Sequence, residues 1–355
     1  MSRKLSSLLL NWYARNSRSL PWRGEQDPYK IWISEIMAQQ TRLQTVIPYY
    51  QRWIKSFPTV EVLASASEQD VLKAWEGLGY YSRARNLHHA AQILMERYGG
   101  CLPEESHLLQ ELPGIGSYSA AAIASLAFGK NEAALDGNIR RVLSRVFNVT
   151  FQLGTPECEK ELNRLAKANL PKGKAGDYNQ ALMDLGSSVC LPRNPNCPVC
   201  PLRSLCIAQK VGRQNSLPVR QKLSSLPTVV VTAAIIMNRG KVLISQRPPH
   251  GLLGGMWEFP GGKLESSETL EACLQREIAE ELGAPIIVQK PFGVFHHSYS
   301  HFHVELHAFV CVLNGSKPKP LQVKSIQWVK LNGLDSFPMG KIDQMISRQL
   351  VSGEN

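Results

Sequence analysis

Residues 108–128 read LLQELPGIGSYSAAAIASLAF: an apolar helical stretch, a Pro-Gly-Ile-Gly turn, and a second, alanine-rich helical stretch. Gly114 and Gly116 allow the backbone to come close to a ligand, and the helix that follows points its unpaired N–H groups outward. Such a turn suits a phosphate, held without reading the sequence that carries it. Taken alone, LPGIG is also compatible with an ordinary tight turn between two helices. What flanks it narrows the choice.

From residue 1 to about 206 the pattern is short helices separated by Gly and Pro punctuation, as at Phe57-Pro58, Gly77-Leu78-Gly79 and Tyr98-Gly99-Gly100. Nothing there reads as a sheet. Residues 207–227 are polar and basic with two prolines, the composition of a linker. Then β-branched stretches begin: strands are expected at Thr228–Ile236, Val242–Ser245, Trp257–Phe259, Phe292–Phe295, His303–Val312 and Ser325–Val329, with one helix at about Glu268–Leu282. The 355 residues therefore divide into an all-α domain, 1–206, a linker, 207–227, and an α+β domain, 228–355.

The formal net charge of +11 is concentrated: residues 1–225 carry 28 Lys and Arg against 18 Asp and Glu, whereas residues 226–355 carry 12 against 11. The excess suggests a polyanionic partner, and if that partner is DNA the first segment carries most of the electrostatic attraction. No apolar run approaches the roughly 20 residues of a membrane span, so a cytoplasmic protein without a membrane partner, and a monomer, is expected. Cys101, Cys158, Cys273 and Cys311 are scattered and suggest no disulfide framework.

The other four cysteines are close together. Cys190-x6-Cys197-x2-Cys200-x5-Cys206 offers four soft ligands from one loop, 190–206. Zinc is the alternative, but its ligands usually come as two close pairs with a longer spacer, so an iron–sulfur cluster is the preferred reading. Asp136, in Leu135-Asp136-Gly137-Asn138-Ile139-Arg140-Arg141-Val142, precedes a helical run, where most aspartates are N-terminal caps.

LPGIG, then LDGNIRRV, then the cysteine loop is an order that resembles the endonuclease III superfamily of helix-hairpin-helix DNA glycosylases. That resemblance implies one four-iron, four-sulfur cluster on Cys190, Cys197, Cys200 and Cys206. It makes Asp136 catalytic, and it places Gly114, Gly116 and Arg193 against DNA. Lyase members of the superfamily carry a lysine where this chain has Tyr118. A phenol cannot form a Schiff base, so the chain resembles the base-excising branch. Ser19-Leu20-Pro21-Trp22-Arg23 and the stretch from Asp27 to Thr41, DPYKIWISEIMAQQT, narrow this to the MutY-type adenine DNA glycosylases.

Glu35 lies among Ile31, Trp32, Ile36 and Met37, and a lone glutamate there would ordinarily be a paired core carboxylate or solvent-facing. By the resemblance it is the acid that protonates the departing adenine, its pKa raised by burial, while ionised Asp136 stabilises the oxocarbenium-like sugar. Tyr118 and Asn138 would support Asp136. Arg18, Trp22 and Gln180 would line the pocket for the extruded adenine, and Gln40 and Tyr80 would wedge beside the opposing 8-oxoguanine.

Residues 261–283, GGKLESSETLEACLQREIAEELG, carry a Nudix signature with Glu277, Glu280 and Glu281 on one helix face, a set able to hold Mg²⁺ if the helix is active. Ala284 stands where the signature has a larger aliphatic residue. In the MutY-type family this domain reads 8-oxoguanine, and Tyr299-Ser300-His301 resembles its aromatic-Ser-His loop. The histidines His296, His297, His301, His303 and His307 raise a metal site as the alternative. The expected partner is duplex DNA bearing an 8-oxoguanine:adenine mispair. The rivals are a nucleotide pyrophosphohydrolase tethered to DNA, a lesion-binding scaffold without activity, and a lyase.

Overall fold

The structure, a computed structural model, describes residues 2–221 and 225–353. The chain packs as two compact units: Met1–Ser65 with Asn86–Leu223, and Ala66–Arg85 with Ser224–Asn355. In chain order the helices are α1 (Ser2–Asn16), α2 (Pro28–Ala38), α3 (Leu43–Ser56), α4 (Val60–Ser65), α5 (Glu68–Trp75), α6 (Ser82–Tyr98), α7 (Ser106–Leu109), α8 (Ser117–Ala127), α9 (Gly137–Val146), α10 (Pro156–Asn169), α11 (Ala175–Ser188), α12 (Ile207–Lys210), α13 (Leu270–Leu282) and α14 (Lys341–Ser352). Among the described residues no helix is long and apolar enough to cross a membrane.

The first unit is helical. Asp27 caps α2 by accepting a hydrogen bond from Tyr29 N, and Pro28, whose missing N–H is no loss in the first turn, starts it. Ile31, Trp32, Ile33, Ile36 and Met37 are then buried around most of its circumference, so anything between them is buried too. In α8 the run Ala120–Ala124 is buried, its small side chains allowing α2 and α7 to pack closely against it. A second core joins Leu5 and Leu9 of α1 to Ile139, Val142 and Val146 of α9, Leu162 of α10, and Tyr178, Leu182 and Leu185 of α11.

Two boundaries differ from the sequence reading. Most of the stretch expected as a linker, 207–227, is folded: Ala208 and Leu217 are buried, and Leu153 N donates to Val219 O at 2.9 Å. Two apolar side chains in a polar stretch suffice to anchor it. Residues 66–85, expected inside the helical domain, pack within the second unit.

The second unit has a sheet of β1 (Thr228–Asn238), β2 (Lys241–Gln246), β3 (Trp257–Glu258), β4 (Ile286–Ser298), β5 (His303–Leu313) and β6 (Ser325–Lys330). The order is β3-β2-β1-β5-β4 with β6 on the free side of β2, and β1 runs parallel to β5 while the other pairs are antiparallel. Alternation along β1 supplies both faces. Ala234 and Ile236 pack with Leu274, Ile278 and Leu282 of α13, whereas Ala233 and Ile235 pack with Ile342 and Ile346 of α14. Thr269 caps α13 by accepting from Ala272 N, and Gly283, at φ +59°, ends it. The first half of β4 and all of α14 go beyond the expected elements. Register shifts at Val288/Lys290 and Pro291/Gly293 show how β4 accommodates its proline: the sheet bulges there.

Candidate active site

Glu35 and Asp136 are both brought to one cavity of the first unit, about 900 Å³ in volume. Glu35 projects from the buried helix α2 and is only 9% exposed. Burial pushes its carboxyl up to about 7; the Tyr118 hydroxyl, donating to Glu35 Oε2 at 2.8 Å, opposes the rise, and the Asp136 charge adds to it. Tyr118 comes from the first turn of α8, so the hairpin places it. Burial beside two carboxylates holds its own hydroxyl well above the ordinary phenol value, and it stays a donor.

Asp136 is the N-cap of α9, as the plain reading of its position foresaw, but the cap is half of what it does. Its Oδ1 accepts from Ile139 N at 2.6 Å and its Oδ2 from Asn138 Nδ2 at 2.7 Å. Arg141 in turn holds Asn138 Oδ1 at 2.8 Å. Burial raises the Asp136 carboxyl, and these donors with the Arg141 charge oppose that rise. The two carboxylates thus have different environments: Glu35 has one phenol, Asp136 has a helix terminus and an amide.

Arg18, Trp22 and Gln180 also line the cavity. Arg18 is not free to meet a ligand with its whole guanidinium. Its Nε donates to Asp184 Oδ1 at 2.8 Å, and Arg23 Nη2 reaches both Asp184 oxygens at 3.0 and 3.1 Å. Asp184 is 1% exposed and was missed in the sequence. The available signal was its place on α11, one turn beyond Gln180, in the stripe Gln180, Met183, Asp184, Ser187 that faces the cavity.

Gly114 has φ +81°, and a Cβ there would lie 2.8 Å from Asn86 Cβ, so the turn requires glycine. At Gly116 no protein atom lies within 4 Å of the added Cβ, and the molecule's own packing makes no such demand. Gln40 is exposed with φ +54°, a left-handed conformation uncommon outside glycine. Arg193 is exposed.

Cys190, Cys197, Cys200 and Cys206 line one small cavity beside Arg145. Arg145 is 1% exposed; it donates to Cys190 Sγ at 3.3 Å and to the carbonyls of Leu191 (2.6 Å), Pro192 (3.0 Å) and Leu217 (2.9 Å). Burial pushes the Cys200 thiol up to about 12. Among the described residues, no three His, Cys, Asp or Glu side chains stand close enough to chelate a single metal ion, the histidines of β4 and β5 included.

In the second unit the structure brings Tyr80 and Ser300 together: their hydroxyls are hydrogen-bonded and both residues are exposed. Tyr80 also adopts a positive φ, +50°. The 66–85 segment is fastened to the sheet domain by five hydrogen bonds from four side chains. Gln69 accepts from Trp257 Nε1 and donates to Gly255 O, each at 2.9 Å; Glu76 accepts from Met339 N at 2.8 Å; Arg85 donates to Gly254 O at 2.6 Å; Lys73 donates to Phe337 O at 3.4 Å. Tyr299 packs on Phe302 and edge-on to His297, and His301 is exposed beside it.

The carboxylates of α13 do not present one open face. Arg276 binds Glu268 in a bidentate pair, pulling that carboxyl down to about 2, and also reaches Glu277 at 3.0 Å and Glu280 at 3.6 Å. Glu281 turns inward, where burial, with Glu258 and Glu277 nearby, pushes it up to about 8.

Two family models match the chain: one described as HhH-GPD superfamily base excision DNA repair protein over residues 33–168, the other as NUDIX domain over residues 231–349. The chain is 34% identical to the adenine DNA glycosylase of Homo sapiens, covering 90% of this chain and 69% of that protein. It is 35% identical to the adenine DNA glycosylase of Mus musculus (96% and 77%) and 34% identical to that of Buchnera aphidicola subsp. Acyrthosiphon pisum (84% and 83%). Among solved structures, a thermostable thymine-DNA glycosylase matches 59% of this chain and 97% of its own with a TM-score of 0.54 and 31% identity. A non-covalent endonuclease III–DNA complex matches 59% of this chain and 95% of its own with a TM-score of 0.52 and 22% identity, a likeness of fold.

Proposed function

The chain belongs to the adenine DNA glycosylase family, and we propose that it removes adenine paired with 8-oxoguanine in duplex DNA, leaving an abasic site and an uncut strand. The observation that carries the reading is the pairing of Glu35 and Asp136 in one cavity with Tyr118 between α8 and Glu35. A glycosidic bond is out of reach inside the base stack, so the nucleotide must be turned out into that cavity. Glu35, with its carboxyl at about 7, still holds a proton near neutral pH and gives it to a ring nitrogen of the leaving adenine. Such an acid contributes roughly 10²–10⁴-fold.

As the bond to C1′ lengthens, positive charge develops on the sugar, and Asp136, held by Ile139 N and Asn138, supplies the compensating charge. Water adds to C1′, and its proton returns to the carboxylate pair. Tyr118 stands where a lyase needs an amine, so no imine forms and no strand is cut.

Four thiols around one cavity, with a buried guanidinium donating to Cys190, suit a four-iron, four-sulfur cluster in the 190–206 loop. When bound, the cluster supplies four iron–thiolate bonds that cross-link the loop. Arg145 and the backbone carbonyls it holds keep that loop against α9.

Lesion reading falls to Tyr80, Ser300 and the adjoining Tyr299 and His301 of the second unit. The hydrogen-bonded, exposed hydroxyls of Tyr80 and Ser300 support it. The pairing of Arg276 with Glu268 and Glu277 supports reading α13 as framework rather than as a magnesium site.

The test is a single-turnover reaction on a duplex with one adenine opposite 8-oxoguanine, analysed with and without hot alkali. Strand breaks seen only after alkali, and lost in Glu35→Gln, are expected. Breaks without alkali, or none from protein carrying its cluster, would overturn the proposal.

A further inference from the structure

Asp136 stands at the end of residues 129–136, which join α8 to α9 and form neither helix nor strand. Backbone without a ladder must find its hydrogen bonds elsewhere, and where it is buried it must find them in protein. Ala134, two residues before Asp136, is 1% exposed and packs with Ala121 and Ala122 beside Tyr118. Its N–H is taken by one side chain of α11.

That side chain is Asn179. Its Oδ1 accepts from Ala134 N at 3.2 Å, and its Nδ2 donates to Glu132 O and to Ser125 Oγ of α8, each at 2.9 Å. A backbone N–H can only donate and a backbone carbonyl can only accept, so the two ends of this amide are assigned by their partners. The carbonyl and both amide hydrogens are in use, at a residue 1% exposed that forms no part of the cavity wall. The same helix bounds Asp136 from the other side. A Cβ on Gly186 would lie 2.6 Å from Asn138 Cβ, so Asn138, which donates to Asp136, rests directly on α11.

We propose that Asn179 is a positioning residue for base release: by clamping the backbone of residues 132–134 to α11 and α8, it fixes where the Asp136 carboxylate stands relative to the sugar. The inference rests on the reading of Asp136 as the group that compensates positive charge at C1′. Without the amide, the buried Ala134 N–H and the Glu132 carbonyl lose their partner, and the segment shifts to find others. A displacement on the order of 1 Å costs roughly 100-fold in rate. The charge that Asp136 meets appears only as the bond breaks, so the loss falls on the chemical step rather than on binding of the duplex.

The test uses the full chain with its cluster and two unreactive duplexes, each with an abasic-site mimic opposite 8-oxoguanine. One mimic is a pyrrolidine, which carries a positive charge in the sugar ring; the other is a neutral tetrahydrofuran. The parent is expected to bind the pyrrolidine more tightly. Asn179→Ala should slow single-turnover release of adenine about 10- to 100-fold and cut the pyrrolidine preference about tenfold, with tetrahydrofuran affinity kept within about twofold. Asn169→Ala, which removes a buried amide at the end of α10, should lower Tm and leave the preference unchanged. If Asn179→Ala does not fold, amide exchange of the parent decides: Ala134 N–H should be protected to within about tenfold of the buried amides of α11, and exchange at the rate of an open loop overturns the inference. A preference kept by a folded Asn179→Ala overturns it too, as does an equal loss in Asn169→Ala. If the parent does not distinguish pyrrolidine from tetrahydrofuran, the reading of Asp136 fails; if parent and Asn179→Ala both do, only the role of Asn179 fails.

Discussion

Replacing Glu35 by glutamine should abolish base release and stabilise the protein, and the size of the second effect should depend on pH. Glu35 has an ordinary value of 4.5 and is held at about 7 in the folded state. The folded protein therefore binds the proton more tightly than the unfolded chain, and the burial of this group is harmless below pH 4.5. As pH rises through 7 the protein must ionise a buried carboxyl, and stability is lost. A difference of about 2.5 units, at about 1.4 kcal/mol each, gives roughly 3 kcal/mol above pH 8 and about 1 kcal/mol at pH 5. Glutamine keeps the shape and still accepts from Tyr118 without acquiring charge. For a unit of this size each kcal/mol moves Tm by about 2–4 °C, so the melting advantage of Glu35→Gln should widen by roughly 4–9 °C between pH 5 and pH 8.5. Melts of parent and variant in matched buffers measure it. A constant or narrowing gap would refute the argument that burial sets this carboxyl. The same titration governs the reaction: base release by the parent should fall with rising pH above about 7 as the acid form disappears.

Tyr118→Phe removes the hydrogen bond that opposes the upward shift of Glu35, so the alkaline limb of the pH–rate profile should move to higher pH; a limb that stays put would count against the contact. Asp184→Asn leaves the Arg18 and Arg23 guanidinium groups without their shared counter-ion at a site 1% exposed. A loss of about 2–3 kcal/mol is expected, less than for a fully buried pair because the arginines are partly solvated, and a Tm drop under about 2 °C would contradict it. Gln69→Ala strands the Trp257 indole N–H and should speed amide hydrogen exchange across residues 250–257 by tenfold or more, equivalent to roughly 1–3 kcal/mol. Parent-like exchange there would mean that the 66–85 segment is not fastened where the contacts place it.

What the sequence made legible was what local chemistry specifies. The hairpin glycines, the cap at Asp136, the apolar surround of Glu35, the β-branched strands and the cap of α13 all follow from neighbours in the chain. What it hid depends on partners distant in sequence. Asp184 looks like one more polar residue of a helix until Arg18 and Arg23, more than 160 positions away, close on it. Residues 66–85 have the composition of the helices around them, and only their contacts with Gly254, Gly255, Trp257 and Met339 assign them to the other unit. The start of β4 was concealed by Gln289-Lys290-Pro291, which a bulge accommodates. Residues 207–221 were concealed by their charge, which says nothing of Ala208 and Leu217, the buried side chains that anchor them.

The Nudix signature was fully legible as a pattern, and the structure explains why the pattern need not report hydrolysis. Its residues hold one another. Arg276 closes the 261–268 loop on α13 by gripping Glu268 and donating to Lys263 O at 3.2 Å. A Cβ at Gly262 would sit 2.1 Å from Glu277 Cδ, so the glycine and the glutamate fit each other before any metal is considered. Glu281 faces inward, where ionising it is opposed by burial. Elsewhere in the same unit, Gln69, Lys73, Glu76 and Arg85 fasten the segment carrying Tyr80 to Gly254, Gly255, Trp257, Phe337 and Met339. Those contacts, made outside the 261–283 signature, bring a tyrosine from the helical half of the sequence to Ser300.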